Sequence, residues 1–456
     1  MSRRSHSASP GLRDAKRPKL DHLTPDDYKN GIMLAPMVRS GALPTRLFAL
    51  KHGAKLVWGP EIVDKAILHA ERVIDPNTGV ISYNGKSKAM FTTHPIEKPY
   101  LVYQIGSSDP ELAVQAAKTV MQDVSGIDLN CGCPKPFSTH AGMGAALLST
   151  PDLLCSILTA LRTELPAHIS VSAKIRLLPT QEETLKLVKR IVNTGVNCLT
   201  VHCRTRNMRQ RERAIIERLK EVVDFVKGMG RDVAVIQNGD CVGYDDARRI
   251  RALTGADSVM IATAAESNPT VFSPIPLVDL ESTLVPPYVR LCKYLDNHWA
   301  STKFCIAQFK GSHVNITKAN GKTLRDALVK SKGYADLDAT IGSWNGEEEY
   351  AEIVKAIEAR AQNSPILLPA ETEPRADVDN VTPSPSGETA SQDPSAFITP
   401  PEWRGNPEPA VVHGAPLAPS NEKRTAVPAS VSGRDETTPT PLPVPKSGAE
   451  VSLYAM

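Results

Sequence analysis

The chain has 456 residues, of which 41% are hydrophobic and 23% charged, and this suffices for one large globular domain and a smaller one. Its formal net charge of +3 is too small to identify a binding partner. No run of about 18 apolar residues occurs and the first residues have no apolar core, so the sequence predicts neither a membrane span nor a secretory signal.

Residues 1–24 are polar and rich in arginine and lysine, and we expect a disordered basic tail in preference to a nuclear-import or RNA-contacting arm. From Gly31 onward short apolar stretches alternate with amphipathic ones, which is typical of βα units and a parallel sheet. The predicted strands are 32–36, 55–59, 101–105, 126–130, 169–175, 198–202, 233–237 and 258–262.

Eight strand–helix repeats predict a closed (β/α)8 TIM barrel over residues 25–278. An open doubly wound sheet is the alternative, weakened because no GxGxxG follows the first strand. Helix starts are indicated by two predicted capping boxes, one from Ser108 to Glu111 and one from Thr180 to Glu183. Gly195 marks the expected end of the second of these helices.

Three further segments complete the predicted organisation. Residues 72–99 are predicted to form an inserted β-hairpin around Asn84 and Gly85. Residues 279–363 are predicted to form a small all-α domain with helices at 285–298, 301–310, 322–331 and 347–361. Residues 364–456 hold 17 of the 37 prolines without apolar periodicity, so we expect a disordered, proline-rich tail.

Cys133 is the first candidate catalytic residue. It lies between Gly132 and Pro134 just after the predicted strand 126–130, and a glycine-rich loop follows it. Free cysteine is among the most buried residue types, so an inert core thiol is the alternative. A position at a strand end, where a barrel presents its reactive groups, favours a functional thiol.

The other predicted strands also end in groups able to bind a ligand. Besides Asn130 and Cys133, these groups are Pro36, Met37 and Val38, Glu61, Gln104, Lys174 and Arg176, His202 and Arg204, Asn238, Gly239 and Asp240, and Thr263 after Ala262. Glycines and small residues after the last two strands are suited to binding a phosphate through backbone N–H groups. Lys174 is either a fixed cation at the barrel mouth or a surface lysine. A phosphate and a cation beside a heterocycle indicate a flavin mononucleotide.

Six motifs occurring in order resemble the tRNA-dihydrouridine synthase family, most closely its eukaryotic branch acting on uridine 20 of the D loop. They are Ala35-Pro36-Met37, Asn130-Cys131-Gly132-Cys133-Pro134, Gly142-Met143-Gly144-Ala145-Ala146-Leu147-Leu148, Lys174-Ile175-Arg176, Val201-His202-Cys203-Arg204 and Asn238-Gly239-Asp240. The resemblance implies an FMN-binding barrel and a helical domain that together bind tRNA, with NADPH or NADH as the reductant. It implies reduction of the C5–C6 double bond of a D-loop uridine.

The resemblance also implies residue roles. Cys133 would be the catalytic acid, and Asn130 would hold the uracil, with Arg176 and Arg204 as further substrate contacts. The cofactor would be bound by Pro36, Met37, Val38, Glu61, Gln104, Lys174, His202, Asn238, Gly239, Asp240, Ala262 and Thr263. The basic stretch 204–213 would contact the tRNA backbone, or be only a solvated helix start.

This sequence departs from the family pattern at three positions. Cys203 stands where glycine is usual, His140 where lysine is common, and Thr263 where an arginine usually binds the phosphate. Losing that guanidinium would weaken cofactor binding by about 1.5–3 kcal/mol. Two alternatives therefore stay open: a barrel oxidoreductase for a free pyrimidine, and a tRNA-binding paralogue with impaired catalysis.

Eight cysteines are scattered without a CxxC pair or a nearby His/Cys cluster, so the sequence predicts no metal site and no disulfide framework. This usage predicts a reducing compartment, either cytoplasmic or nuclear. We expect a monomer that does not bind membranes.

Overall fold

Twelve strands are found in the computed structural model, which describes residues 22–362 except 87–88, 311–325 and 343–345. They are β1 Ile32–Leu34, β2 Val57–Trp58, β3 Ile62–Val63, β4 Glu71–Ile74, β5 Ile81–Asn84, β6 Ala89–Thr93, β7 Leu101–Gly106, β8 Gly126–Cys131, β9 Ser170–Leu177, β10 Cys198–Thr205, β11 Ala234–Asn238 and β12 Ser258–Ile261.

Nine of these strands belong to one parallel sheet, and eight of them, all but β3, form a closed barrel. Strands β7 to β12 pair in sequence order, and β1 lies between β12 and β2. The pairing of β2 with β7, Val57 opposite Leu101, closes the sheet, and β3 continues the same wall by pairing with β7. The predicted eight-stranded barrel is confirmed, and the open doubly wound sheet is excluded.

The described residues contain fourteen α-helices whose two ends are both defined. They are α1 Leu43–Lys51, α2 Asp64–Ile67, α3 Pro110–Val120, α4 Pro136–Thr139, α5 Pro151–Glu164, α6 Gln181–Asn193, α7 Arg218–Gly228, α8 Tyr244–Thr254, α9 Thr263–Ser267, α10 Leu280–Thr283, α11 Val285–Tyr294, α12 Trp299–Gln308, α13 Asp338–Ile341 and α14 Glu347–Gln362. Residues 326–330 are also helical. Short 3-10 turns occupy Pro25–Tyr28, Lys98–Tyr100, Met121–Asp123, Gly144–Ser149 and Tyr334–Leu337.

One of the two predicted capping boxes is confirmed. Thr180 Oγ1 accepts the N–H of Glu183 at 3.2 Å, and the Glu183 carboxylate accepts the N–H of Thr180 at 3.0 Å. The box predicted at Ser108 is wrong, because its hydroxyl donates to the carbonyl of Ala141 instead. Asp109 caps α3 in its place by accepting the N–H groups of Glu111 and Leu112.

The insertion after β3 is a three-stranded antiparallel sheet, β4-β5-β6. The predicted hairpin is confirmed, but strand β4 was missed because three of its four residues are exposed and it lacks an apolar pattern. Asp123 anchors this sheet to the barrel. Its carboxylate accepts Nε of Arg72 at 2.6 Å and the hydroxyl of Tyr83 at 2.5 Å.

The described part of the chain after β12 contains helices and no strand, as predicted. The first four residues of the predicted helix 322–331 lie outside the described residues, and 326–330 are helical. These helices pack on α1. Thr45 shares a 2.8 Å hydrogen bond with the Tyr288 hydroxyl of α11. Arg360 of α14 donates to the carbonyls of Leu50 and Ala54 at 2.8 and 2.7 Å, which covers the carboxyl end of α1.

All described residues fall within one compact unit. The domain boundaries predicted from the sequence stay predictions, and the predicted tails lie almost entirely outside the described residues. Across the described part of the chain, no helix has the length and apolar character needed to cross a membrane.

Candidate active site

The predicted site residues all lie at the carboxyl edge of the barrel, in the second half of a strand or in the loop that follows it. Register explains why several share one face. Asn130 pairs with Lys174, and His202 pairs with both Arg176 and Asn238. Register partners on neighbouring strands and residues two apart on one strand point to the same side of a sheet. These five side chains therefore lie on one face of the sheet at the barrel mouth.

Asn130 fixes the turn that presents Cys133. Its Oδ1 accepts the N–H groups of Gly132 and Cys133 at 2.9 and 3.0 Å. Its Nδ2 donates to Gln104 Oε1 at 3.2 Å, and Gln104 Nε2 donates to Asp128 at 2.8 Å. A chain of side-chain hydrogen bonds thus connects the barrel interior to the cysteine loop.

Asp128 is a residue that the sequence reasoning missed. It is fully buried on β8, and its other carboxylate oxygen accepts the Ser172 hydroxyl at 2.6 Å. Burial raises its pKa to about 6, against the opposing effects of Ser172, Gln104 and Lys174. The signal in the sequence was an acidic residue inside an apolar strand, because a buried carboxylate needs partners.

Cys133 is half-buried, and its thiol faces the carboxyl of Glu61 and the hydroxyl of Ser138. Burial and then the nearby Glu61 carboxylate raise its pKa to about 11, so the group is a protonated thiol at neutral pH. Ser138, also missed from the sequence, is buried in α4 and donates to Glu61 Oε1 at 3.2 Å. The environment suits a thiol that acts as an acid more than a thiolate nucleophile.

Lys174 lies close to the cysteine loop. It is the register partner of Asn130, whose Oδ1 accepts the N–H of Cys133, and its ammonium interacts electrostatically with the thiol. Burial and then Arg176 lower the pKa of Lys174 to about 8, whereas Asp128 and Cys133 act to raise it. Within the described ranges its ammonium has no hydrogen bond or ion pair. A half-buried ammonium that has no anionic partner is suited to binding an anionic ligand.

His202 is held neutral. Burial and then the cations Lys174, Arg176 and Arg204 lower its pKa. Arg204 Nη1 lies 3.3 Å from His202 Nε2, and the guanidinium also forms an ion pair with Asp240. Because a guanidinium can only donate, the imidazole accepts at Nε2.

Arg204 is 5% exposed and binds groups of its own chain, including the carbonyls of Gln210 and Glu212 at 3.0 and 2.6 Å. A shift of register between His202 and Thr205 on β10 marks a bulge. The structure therefore gives this guanidinium an internal role, and its contact with a substrate stays a prediction. Cys203, in the same bulge, is fully buried.

The loops after β11 and β12, which are expected to bind a phosphate, begin side by side. Asn238 Nδ2 donates to the carbonyl of Met260 at 2.9 Å. Gly239 has φ +120°, and a Cβ there would lie 3.1 Å from that of Ala214, so the close approach requires glycine. Thr263, exposed at the start of α9, accepts a 3.0 Å hydrogen bond from Gln210.

The basic stretch 204–213 is not a helix start, because the next helix, α7, begins at Arg218. Four of its arginines are exposed in the loop, namely Arg206, Arg209, Arg211 and Arg213. Arg213 pairs with Glu217 at 2.5 Å. No His, Cys, Asp or Glu cluster able to hold a metal ion occurs among the described residues.

The dihydrouridine synthase (Dus) family model matches residues 33–358. A tRNA-dihydrouridine(20) synthase [NAD(P)+] of Schizosaccharomyces pombe is 46% identical over 319 residues, which cover 68% of this chain and 64% of that protein. The enzyme of the same name from Saccharomyces cerevisiae is 42% identical over 298 residues, covering 62% and 77%. A tRNA-dihydrouridine(20a/20b) synthase [NAD(P)+] of S. cerevisiae is 30% identical over 240 residues, covering 52% and 60%.

Proposed function

Because this chain belongs to the dihydrouridine synthase family, we propose that it reduces the C5–C6 double bond of a uridine in tRNA. Two of its relatives are named for position 20, and both names carry NAD(P)+. We therefore assign position 20 as the target and NADPH or NADH as the reductant. The matched part covers 64% of the S. pombe relative, so this assignment is our proposal for the chain.

The residues at the barrel mouth fit FMN. Val38 is 49% exposed and Met37 is half-buried beside it, which provides an apolar surface for a flat ring. Lys174 provides a cation with no anion of its own among the described side chains. Residues 238–240 and Thr263 would bind the phosphate. When bound and reduced, FMN supplies the hydride.

The chain's own residues supply charge and a proton. The ammonium of Lys174 favours negative charge in the pocket. The Cys133 thiol, with its pKa of about 11, carries a proton at neutral pH that it can donate to C5 of the uracil. A uridine stacked in tRNA cannot reach this pocket, so the base must leave its stack. The exposed arginines of 206–213 are suited to contact the phosphate backbone.

The single observation that supports this proposal most is the placement of a protonated thiol and a cation at one edge of the barrel: Asn130 holds the backbone of Cys133, and its register partner is Lys174, whose ammonium has no ion pair among the described residues. The test is incubation of purified protein, reconstituted with FMN, with unmodified tRNA and NADPH, followed by mass spectrometry of nucleosides. We expect dihydrouridine at position 20 of the tRNA and no reduction of free uridine. Equal reduction of free uridine would instead favour the free-pyrimidine oxidoreductase, and protein that binds tRNA but not FMN would favour the impaired paralogue.

A further inference from the structure

The Cys133 thiol has two polar neighbours, Glu61 and Ser138, and a thiol does not require such neighbours in order to donate a proton. Glu61, which precedes β3, is 8% exposed, and its carboxyl interacts with Cys133, Ser138 and Asn130. Ser138 has no exposed surface and donates to Glu61 Oε1 at 3.2 Å. Burying a carboxyl group beside a thiol costs free energy, which the hydrogen bonds of Glu61 offset only in part, since burial still raises its pKa.

Two glycines allow this close packing. A Cβ at Gly106 would lie 2.7 Å from Glu61 Oε1, so glycine lets the carboxyl approach the barrel wall. Gly144 has φ +58°, and a Cβ there would overlap Ser138 Oγ and lie 3.1 Å from Cys133 Cβ. The backbone therefore leaves room for Glu61, Ser138 and Cys133 to meet.

The charges around the thiol oppose one another. Lys174 and Arg176 of β9 both interact electrostatically with Cys133, and each cation favours the thiolate. Glu61 is the anionic group that opposes them, since a nearby carboxylate disfavours a second negative charge. Ser138 acts in the opposite direction to Glu61, because its single hydroxyl proton, which Glu61 Oε1 accepts in this structure, can turn to the thiolate and stabilise it. The backbone N–H of Lys135 also favours the thiolate, on the same side as Ser138 and the two cations.

We propose that Glu61 and Ser138 are positioning residues that together set the protonation of Cys133. The Glu61 carboxylate keeps the thiol protonated against the two cations, and Ser138 limits this effect of Glu61. This assignment rests on the proposed function, because it gives the thiol the role of proton donor. Its physical basis, the coupling of the carboxyl to the thiol, is measurable without tRNA.

The test is the pH dependence of alkylation of Cys133 by iodoacetamide in the FMN-reconstituted full chain, because only the thiolate reacts. Modification is followed by peptide mass spectrometry. The half-buried thiol of Cys155 on α5 serves as a reference in the same digest. In Glu61→Gln we expect the alkylation midpoint to fall by about 1 pH unit, which is about a tenfold faster reaction at pH 8. In Ser138→Ala we expect the midpoint to rise and the reaction at pH 8 to slow.

The opposite signs separate positioning from simple loosening of the pocket. A cavity that merely became wetter would bring the midpoint down in both variants, because the burial contribution would shrink. Glu61→Asp, which keeps the charge, should retain most of the wild-type midpoint and is the matched control. If Glu61→Gln does not fold, the expected rise of the midpoint in Ser138→Ala decides, and a fall in that variant would overturn the proposal. An unchanged midpoint in Glu61→Gln, or a fall in both Glu61→Gln and Ser138→Ala, would overturn the proposal.

Turnover provides the second measurement. In Glu61→Gln the alkaline decline of kcat for tRNA reduction should begin at lower pH than in the wild-type protein. If alkylation shifts as expected but no tRNA is reduced by the wild-type protein, the proposed function fails and the coupling stands. If tRNA is reduced but alkylation does not shift, the positioning role fails and the function stands.

Discussion

Asn130 Oδ1 accepts the backbone N–H of Cys133 at 3.0 Å, so the last inward side chain of β8 fixes the cysteine that follows the strand. The same oxygen accepts the N–H of Gly132 at 2.9 Å. With the backbone held at two points, the thiol can move only by rotation about its own Cα–Cβ bond unless these hydrogen bonds are lost. The cysteine is thus presented by the barrel wall rather than by a free loop.

Replacing Cys133 with alanine should separate the two halves of the proposed reaction. Flavin reduction by NADPH, followed by loss of flavin absorbance without oxygen, should continue at the wild-type rate. Dihydrouridine formation should fall by about 10²–10⁴-fold, because positioned acids contribute about this much. Cys155→Ala, a half-buried thiol of α5, is the control and should retain activity. Normal turnover by Cys133→Ala would remove this residue from the mechanism.

Neutralising the exposed arginines of the loop after β10 should weaken tRNA binding without affecting flavin reduction. In Arg206→Ala with Arg211→Ala, the KM for tRNA should rise, since each neutralised phosphate contributes counterion release. The slope of log affinity against log salt should become less negative by about 0.7–0.9 for each phosphate that is no longer neutralised. Lys186→Ala on α6, which removes an exposed pair with Glu182, is the control. An unchanged salt slope would place the tRNA elsewhere.

The barrel could be predicted because its strands are buried on both faces. Every residue of Gly126–Cys131 is buried, and such strands read as continuous apolar runs. Strand Glu71–Ile74 is mostly exposed and gave no such signal. The cap at Ser108 was mispredicted for a different reason, since its hydroxyl is bound by a carbonyl 33 positions away in sequence.

Strand topology determines which of the predicted site residues meet. The order of the strands places the carboxyl ends of β8 and β9 side by side, and the register then brings Asn130 opposite Lys174. The partners of Asp128 and the approach of Ser138 to Glu61 depend on side-chain packing that the sequence pattern does not encode. Arg204 binds backbone carbonyls of its own chain beside the bulge on β10, an arrangement that its position at a strand end does not encode.

Arg46 and Glu97 form an ion pair whose side chains are 1% and 0% exposed, and its disruption should be strongly destabilising. Arg46 also donates to the carbonyls of Gly41 and Thr92 at 2.6 and 2.7 Å, which joins α1 to the inserted sheet. Arg46→Met leaves a buried carboxylate unpaired and should lower the free energy of unfolding in urea by about 3–5 kcal/mol.

The control for this ion pair is Lys118→Met, because the pair of Lys118 with Glu164 is 44% and 54% exposed. Its loss should cost less than about 1 kcal/mol. Combining Arg46→Met with Glu97→Leu should recover part of the stability, since no charge is then buried without a partner. A double variant as unstable as the sum of its single variants would contradict the role of charge.

Lys174→Met should stabilise the FMN-free protein at neutral pH and lose that advantage as the pH rises. The pKa of Lys174 is lowered from 10.5 to about 8, so between these values the unfolded chain binds a proton that the folded chain has released. Folding stability from this group therefore increases with pH through that window. The gain from Lys174→Met should be at most about 3 kcal/mol at pH 7 and should vanish above pH 10.5, measured by urea unfolding against wild type at each pH. With FMN bound the difference should reverse, because the ammonium then has an anionic partner. A difference that does not vary with pH would show that Lys174 is not buried as a cation.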